Sequence, residues 1–225
     1  MSTILAIDTS SPVCSVALAV AGKVVTRQTP AERQAAQKLL PLVEALLSDQ
    51  LLTLASVDAI AVVTGPGSFT GMRIGVGVAQ GLSFAADCPV IGISALALTA
   101  VSGQRALPSS NQHWLVAEPA RDGEVYFAAY HVAAAGQADL LGKEQVAIPE
   151  NLQIQTSDSL WNSAGAAWDE DLASRLGITV ASHYEALSAD LIALCDIARH
   201  RLESGQYQTD GGVLPNYIKD QLDYS

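Results

Sequence analysis

Apolar and polar residues along this chain follow two different periods. Thr3–Ile7, Cys14–Val20 and Val24–Gln28 are short β-forming runs, broken by Asp8-Thr9-Ser10-Ser11-Pro12 and by Ala21-Gly22-Lys23. Short runs joined by tight turns predict three strands in an antiparallel meander. The period then lengthens: Leu39, Leu42, Val43, Leu46 and Leu47 fall at i, i+3, i+4, i+7 and i+8, one apolar stripe of a helix over about Arg33–Ser48. Pro41 lies inside that helix and is expected to kink it or to free one carbonyl. Asp58–Thr64 predicts a buried strand, and the Gly-rich stretch Thr64–Gly75 leads from it into Ile74–Ala86, a helical run without a charge. Asp87-Cys88-Pro89 stops that helix. Val90–Ile93 predicts another strand, and Ser94 an N-cap for a helix over about Ala95–Val101.

Ser102–Gln112 is polar and turn-rich, and marks the expected boundary between a lobe over residues 1–105 and a smaller one over 106–225. Beyond it Trp114–Ala117 and Gly123–Val132 predict strands, and Leu140–Ile148 a strand that pairs back after the Gly136-Gln137 turn. Pro149-Glu150 opens a short helix, Asp158–Asp171 reads as loop, and Asp171–Leu176 as a helical turn. Ala189–Glu203 is an amphipathic helix with Leu191, Leu194, Cys195, Ala198 and Leu202 on one face, and Gly211–Ile218 reads as extended. The second half is a degraded echo of the first, and the fold class is α/β.

Composition narrows the function. Of 225 residues, 49% are apolar but only 5% aromatic, which suits packed helices on a sheet rather than an aromatic binding surface. Twelve Lys and Arg against 23 Asp and Glu give a net charge of −11, so this chain alone is not expected to grip a nucleic-acid backbone. Three scattered cysteines, Cys14, Cys88 and Cys195, form no CxxC pair and suggest reduced thiols. Neither a signal peptide nor an apolar run of about 18 residues is evident, which makes the cytoplasm the expected location.

Two stretches are candidates for chemistry. Asp8, Thr9 and Ser10 end the first strand, where a carboxylate and hydroxyls suit a hydrated cation with a phosphate, or simply a turn bonded to its own backbone. Gly65, Gly67 and Ser68 stand between strand and helix, the layout that points N–H groups at an anion. The loop lacks the P-loop lysine, and it is not a nucleophile elbow. Gly71, Gly75, Gly77 and Gly81 each cost a helix about 1 kcal/mol relative to alanine, so they need a reason such as close approach of another backbone. The uncharged helix is then either buried wholly against its own sheet or shared with a second polypeptide. His113, His131, His183 and His200 are isolated, so no metal site is expected.

Ile4–Ser10, Gly65–Gly75 with Ala79-Gln80-Gly81-Leu82, and Gly123-Glu124-Val125-Tyr126 after Ala120-Arg121 carry a resemblance over nearly the whole chain. The chain resembles the TsaB (YeaZ) family, non-catalytic paralogues of the TsaD protein that makes the threonylcarbamoyl group of tRNA adenosine 37. The resemblance implies an actin/Hsp70/sugar-kinase-like fold of two related lobes, each with a meander-containing mixed sheet and flanking helices. It implies a scaffold subunit that pairs with TsaD, works with the ATPase TsaE, and forms a homodimer when TsaD is absent. Any ATP and Mg²⁺ then belong to the complex rather than to this chain, and tRNA is met only through the complex. The implied interface is the first two helices: Leu39, Leu42, Val43 and Leu46 on one, and Gly71, Arg73, Gly75, Val76, Val78, Gly81 and Leu82 on the other. Arg33–Pro41 lacks the paired metal histidines of the catalytic paralogue, Pro119 stands where the family has Asp, and Gly165-Ala166-Ala167-Trp168 keeps one glycine of a richer turn. Asp8, Thr9, Ser10, Gly65, Gly67 and Ser68 then form a vestigial phosphate site. The alternative is an active ATP-dependent phosphotransferase or carbamoyltransferase using Asp8, Thr9 and Ser10. A peptidase would need a metal site that these residues do not supply.

Overall fold

Short runs of β-branched and small apolar residues drive the first three segments into a sheet, with β-forming residues buried along nearly all of the first two. In the computed structural model, which describes residues 2–108, 110–134, 136–154, 160–185, 189–209 and 212–218, they form β1 (Ile4–Asp8), β2 (Val13–Val20) and β3 (Lys23–Pro30), paired antiparallel in chain order. β4 (Ala59–Gly65) is buried along its whole length and adds parallel to β1, and β5 (Val90–Ser94) adds parallel to β4. The sheet order is β3-β2-β1-β4-β5. α1 (Ala35–Asp49) and α2 (Phe69–Ala86) pack on one face, where Leu39, Val43, Leu46 and Val76 join Leu5, Ile7, Val16 and Ile60 in one apolar cluster. α1 continues through Pro41; Gln37 and Pro41 are both exposed, so water can serve the carbonyl that loses its donor.

The second sheet repeats the plan. β6 (His113–Pro119), β7 (Val125–Ala134) and β8 (Gln137–Leu140) form a meander, and β10 (Leu160–Ala164) and β11 (Thr179–Tyr184) add parallel beyond β6. Read outward from the meander, β8-β7-β6-β10-β11 matches β3-β2-β1-β4-β5. β9 (Gln145–Ala147) pairs separately with β7, because Gly142 at φ +91° turns the chain within the single strand expected over Leu140–Ile148. Leu115, Phe127, Trp161 and Leu172 lead this sheet's core, the last from α4 (Glu170–Leu176).

The chain divides differently from the 1–105 and 106–225 lobes expected. One compact unit comprises residues 1–95 and 189–216, the other residues 96–188 with the tail after 216. α3 (Ala95–Ala106) runs through the stretch that reads as a boundary, with Ser102 and Gly103 buried. Gly103 lies against the Trp114 indole, and the Ser102 hydroxyl donates to the Leu98 carbonyl at 2.7 Å, so polar-looking residues serve packing. α5 (Leu191–Glu203) returns to the first unit, capped by Asp190, and buries Leu191, Leu194 and Ile197. It packs on β1, β2, β4 and β5 outside the α1–α2 cluster, which places it on the sheet's other face. β10 occupies residues 160–164 of the stretch that reads as loop, residues 158 and 159 of which lie outside the described ones. The sequence hid it because Asn162 and Ser163, polar and fully buried, are satisfied internally: Asn162 donates to the Asn111 carbonyl and accepts from Ser182 at 2.8 Å each, and Ser163 meets His183 Nδ1 at 2.9 Å. Residues 212–218 run without regular structure, tied by the Asn216 N–H to the Thr64 carbonyl at 2.8 Å; Gly211 lies outside the described residues.

Because α5 covers one face of the first sheet, a fragment ending at residue 105 is expected not to fold on its own, which circular dichroism and solubility check. In the full chain Leu194→Ala is expected to cost about 2–5 kcal/mol in denaturant unfolding, the range for truncating a buried leucine.

Candidate functional site

The Gly-rich loop and the end of β1 come together, as their residue types suggest. Asp8 is buried, and its Oδ1 accepts from the Ser10 N–H at 2.8 Å and the Ser10 hydroxyl at 2.7 Å. Burial pushes the Asp8 carboxyl above its ordinary value of 3.8, opposed by the two Ser10 hydrogen bonds. The Gly65–Pro66 bond is cis. Two N–H groups at the start of α2 have partners in the chain itself. Ser68 N–H donates to the Ser10 carbonyl at 2.7 Å, and Gly71 N–H donates to Ser68 Oγ, the helix cap, at 3.2 Å. The Thr9 hydroxyl donates to the Gly71 carbonyl at 2.7 Å. Of the six residues expected to form a phosphate site, Asp8 bonds Ser10, Ser10 meets Gly67 and Ser68, and Thr9 lies against α2, whereas Gly65 lies against Met72 and the Asn216 carbonyl.

α2 divides into two faces. Gly71, Met72, Gly75, Val76 and Ala79 are buried. A Cβ on Gly71 would overlap the Thr9 carbonyl oxygen, and one on Gly75 the Thr9 hydroxyl, so these two glycines serve close approach inside the chain. Gly77 and Gly81 are exposed, and a Cβ on either would stand in open space. The outer face runs Phe69, Arg73, Gly77, Gly81 and Phe84, with Phe84 92% exposed and the Arg73 guanidinium 3.8 Å from the Phe69 ring centroid. Val78 and Leu82 are half-buried beside it. Beside Leu82, α1 and the turn after it border an apolar groove of about 440 Å³ lined by Leu40, Val43, Leu47, Leu52 and Leu54.

The expected interface residues therefore separate. Leu39, Val43 and Leu46 are core residues of α1, and Gly71, Gly75 and Val76 are core residues of α2, because their stripe is what fastens each helix to its sheet. Leu42, Arg73, Val78, Gly81 and Leu82 reach the surface in whole or part. Phe69, Phe84 and Leu40, outside the expected set, are exposed on the same two helices. Phe69 stands four residues before Arg73 and Phe84 three after Gly81, so a helical wheel extended to Phe69 finds the stripe.

Among the described residues no three His, Cys, Asp or Glu side chains are grouped to hold a metal. His113 and His131 face each other across β6 and β7 with ring centroids 5.3 Å apart. Burial pushes the Cys14 thiol up to about 11 and the Cys195 thiol up to about 12, which disfavours the nucleophilic thiolate at both. In the second unit, the Ala166 N–H of the Gly165 turn donates to Glu118 at 3.2 Å, so a carboxylate of the chain itself takes that donor. No described helix is long and apolar enough to cross a membrane.

Against known proteins, residues 20–204 match the family described as "TsaD: tRNA N6-adenosine threonylcarbamoyltransferase". The chain is 37% identical over 181 residues to the tRNA threonylcarbamoyladenosine biosynthesis protein TsaB of Escherichia coli, covering 79% of this chain and 78% of that one. It superposes on the solved structure of YeaZ from Pseudomonas aeruginosa with a TM-score of 0.82 at 35% identity, over 96% of this chain and 100% of that one. A ROK hexokinase from Thermus thermophilus, 11% identical, matches with a TM-score of 0.51 over 90% of this chain and 99% of that one, a likeness of fold alone. Two mixed sheets of one plan with flanking helices are the sugar-kinase-like architecture.

Asp8 gives a pH dependence with a definite sign. Its carboxyl is raised in the folded state, so the unfolded chain ionises first and stability is lost as pH rises from about 3.8 through the folded value. Asp8→Asn removes that loss. It is expected to be more stable than wild type at pH 7, with the gap closing in acid; a gap that denaturant titrations find constant from pH 3 to 7 contradicts this.

Proposed function

This chain belongs to the TsaB (YeaZ) family, and on that premise we propose that it serves tRNA threonylcarbamoyladenosine biosynthesis as a scaffold subunit, presenting the outer face of α2 and the adjoining edge of α1 to a TsaD-type protein. The observation that carries this reading is the outer face of α2. It is uncharged from Ile74 to Ala86, floored by Gly77 and Gly81, and flanked by Phe69 and Phe84. A helix with glycines on its outer face gives up helical stability, about 1 kcal/mol each, that alanine would return. Close packing of a partner helix against the glycine floor offsets that cost. The exposed phenylalanines supply apolar area at the two ends of the same strip.

The chain's part is non-catalytic in this reading. The Ser10, Ser68 and Gly71 N–H groups and the Thr9 and Ser10 hydroxyls bond within the chain, which favours leaving ATP and Mg²⁺ to the assembled complex and its TsaE-type ATPase. A net charge of −11 favours tRNA contact through the partner rather than through this chain. Without the partner, the same uncharged strip serves a homodimer. The cytoplasm, where tRNA is modified, is the matching location.

Gly81→Arg tests the interface without touching the core. The new side chain enters open space and improves helix propensity, so the variant is expected to fold with wild-type or higher stability. It is expected to lose co-elution with the TsaD-type protein in size exclusion and to fail to restore modified adenosine in cells lacking the native chain. A complex that survives the substitution sinks the assignment. Gly75 is unsuitable for this purpose, because its substitution strikes Thr9 within the chain.

A further inference from the structure

The residue beneath the docking helix is Thr9, 1% exposed, at the exit of β1. It meets α2 at three points. Its hydroxyl donates to the Gly71 carbonyl at 2.7 Å, its own carbonyl oxygen lies where a Gly71 Cβ would be, and its hydroxyl oxygen lies where a Gly75 Cβ would be. The neighbouring Ser10 carbonyl accepts the Ser68 N–H at 2.7 Å, one residue before the helix begins. Residues two apart on an α-helix are about 200° apart around its axis. The Gly71–Gly75 edge that rests on Thr9 is therefore opposite the edge carrying Arg73 and Gly77. Any roll or lift of α2 on Thr9 displaces the outer strip directly.

Thr9 is suited to this more than other residues of its size. A hydroxyl that both touches Gly75 and donates to Gly71 fixes the helix in rotation and in height, whereas an apolar group of the same shape fixes height alone. The donor also gives the Gly71 carbonyl a second hydrogen bond beyond its helical one, available only in one rotational setting of α2. We propose that Thr9 is a positioning residue for partner recognition, its hydroxyl setting the register in which α2 offers its outer face. Asp8 supports it from the side by holding Ser10 through both the N–H and the hydroxyl, which shapes the turn that carries Thr9. A turn that resembles a phosphate site thus acts as the seat of a protein-binding helix. The inference rests on the reading of α2 as the docking helix.

Isothermal titration of the full chain with the TsaD-type protein tests both, using Thr9→Val, Thr9→Ser, Leu194→Ala and Gly81→Arg. Thr9→Val keeps the shape and removes the donor. It is expected to weaken pairing about tenfold, the scale of one lost hydrogen bond, while Thr9→Ser stays within about twofold of wild type. Leu194→Ala lies on the opposite face of the sheet and is expected to lower the thermal midpoint at least as far as Thr9→Val with no change in affinity. Hydrogen exchange over residues 69–77 is expected to rise in Thr9→Val but not in Thr9→Ser. Unchanged affinity in Thr9→Val, or an equal loss in Leu194→Ala, overturns the positioning role. Should Thr9→Val fail to fold, Thr9→Ala takes its place: a tenfold loss supports the role of Thr9 and unchanged affinity overturns it. Pairing that survives Gly81→Arg overturns the docking helix itself, whereas pairing lost in Gly81→Arg but intact in Thr9→Val overturns only the role of Thr9.

Discussion

The close approach of α2 to the turn after β1 is the constraint from which the first unit is built. Gly71 and Gly75 leave no side chain between helix and turn, so Thr9 touches helix backbone directly. With that seat set, Val76 and Ala79 fall onto the β1–β4 surface and Leu39 and Leu46 complete the layer from α1. The Thr9–Gly71 hydrogen bond at the seat is buried, where an unmade bond costs far more than an exposed one. Two N–H donors of the Gly-rich loop, those of Ser68 and Gly71, are engaged by the chain itself.

Four glycines in one helix have two different explanations. Gly71 and Gly75 face inward and allow the seat, whereas Gly77 and Gly81 face outward and keep the surface low. The inward pair stabilises the fold through contact, and the outward pair weakens the helix in return for a flat strip without charge beyond Arg73. The same logic separates the two leucine-rich faces of α1: Leu39, Val43 and Leu46 hold it to the sheet, while Leu40 and Leu42 stand at or near the surface.

Duplication of one sheet plan explains much of the rest. Each half makes a meander followed by two parallel strands, yet the halves differ in how visibly they do so. In the first, parallel β4 is an apolar run, Ala59–Val63, and is plain in the sequence. In the second, the equivalent β10 carries Asn162 and Ser163, buried and satisfied by Asn111, Ser182 and His183. Such polar residues in a buried strand depend on partners about twenty and fifty positions away, and no local pattern announces them.

The meander, the leucine stripe of α1, the Gly-rich loop, the uncharged helix and the amphipathic α5 all follow from local periodicity, because each is set by which residues within a few positions share a face. The kinship with TsaB is legible too, since its long motif lies in one continuous stretch. Tertiary structure decided what those elements touch. It assigned α5 to the first unit and most of α3 to the second, made one pair of α2's glycines internal and the other external, and turned half of the expected interface into core. Burial and close approach are relations between distant segments, and a helix that is apolar on every side does not say by itself which side meets its own sheet.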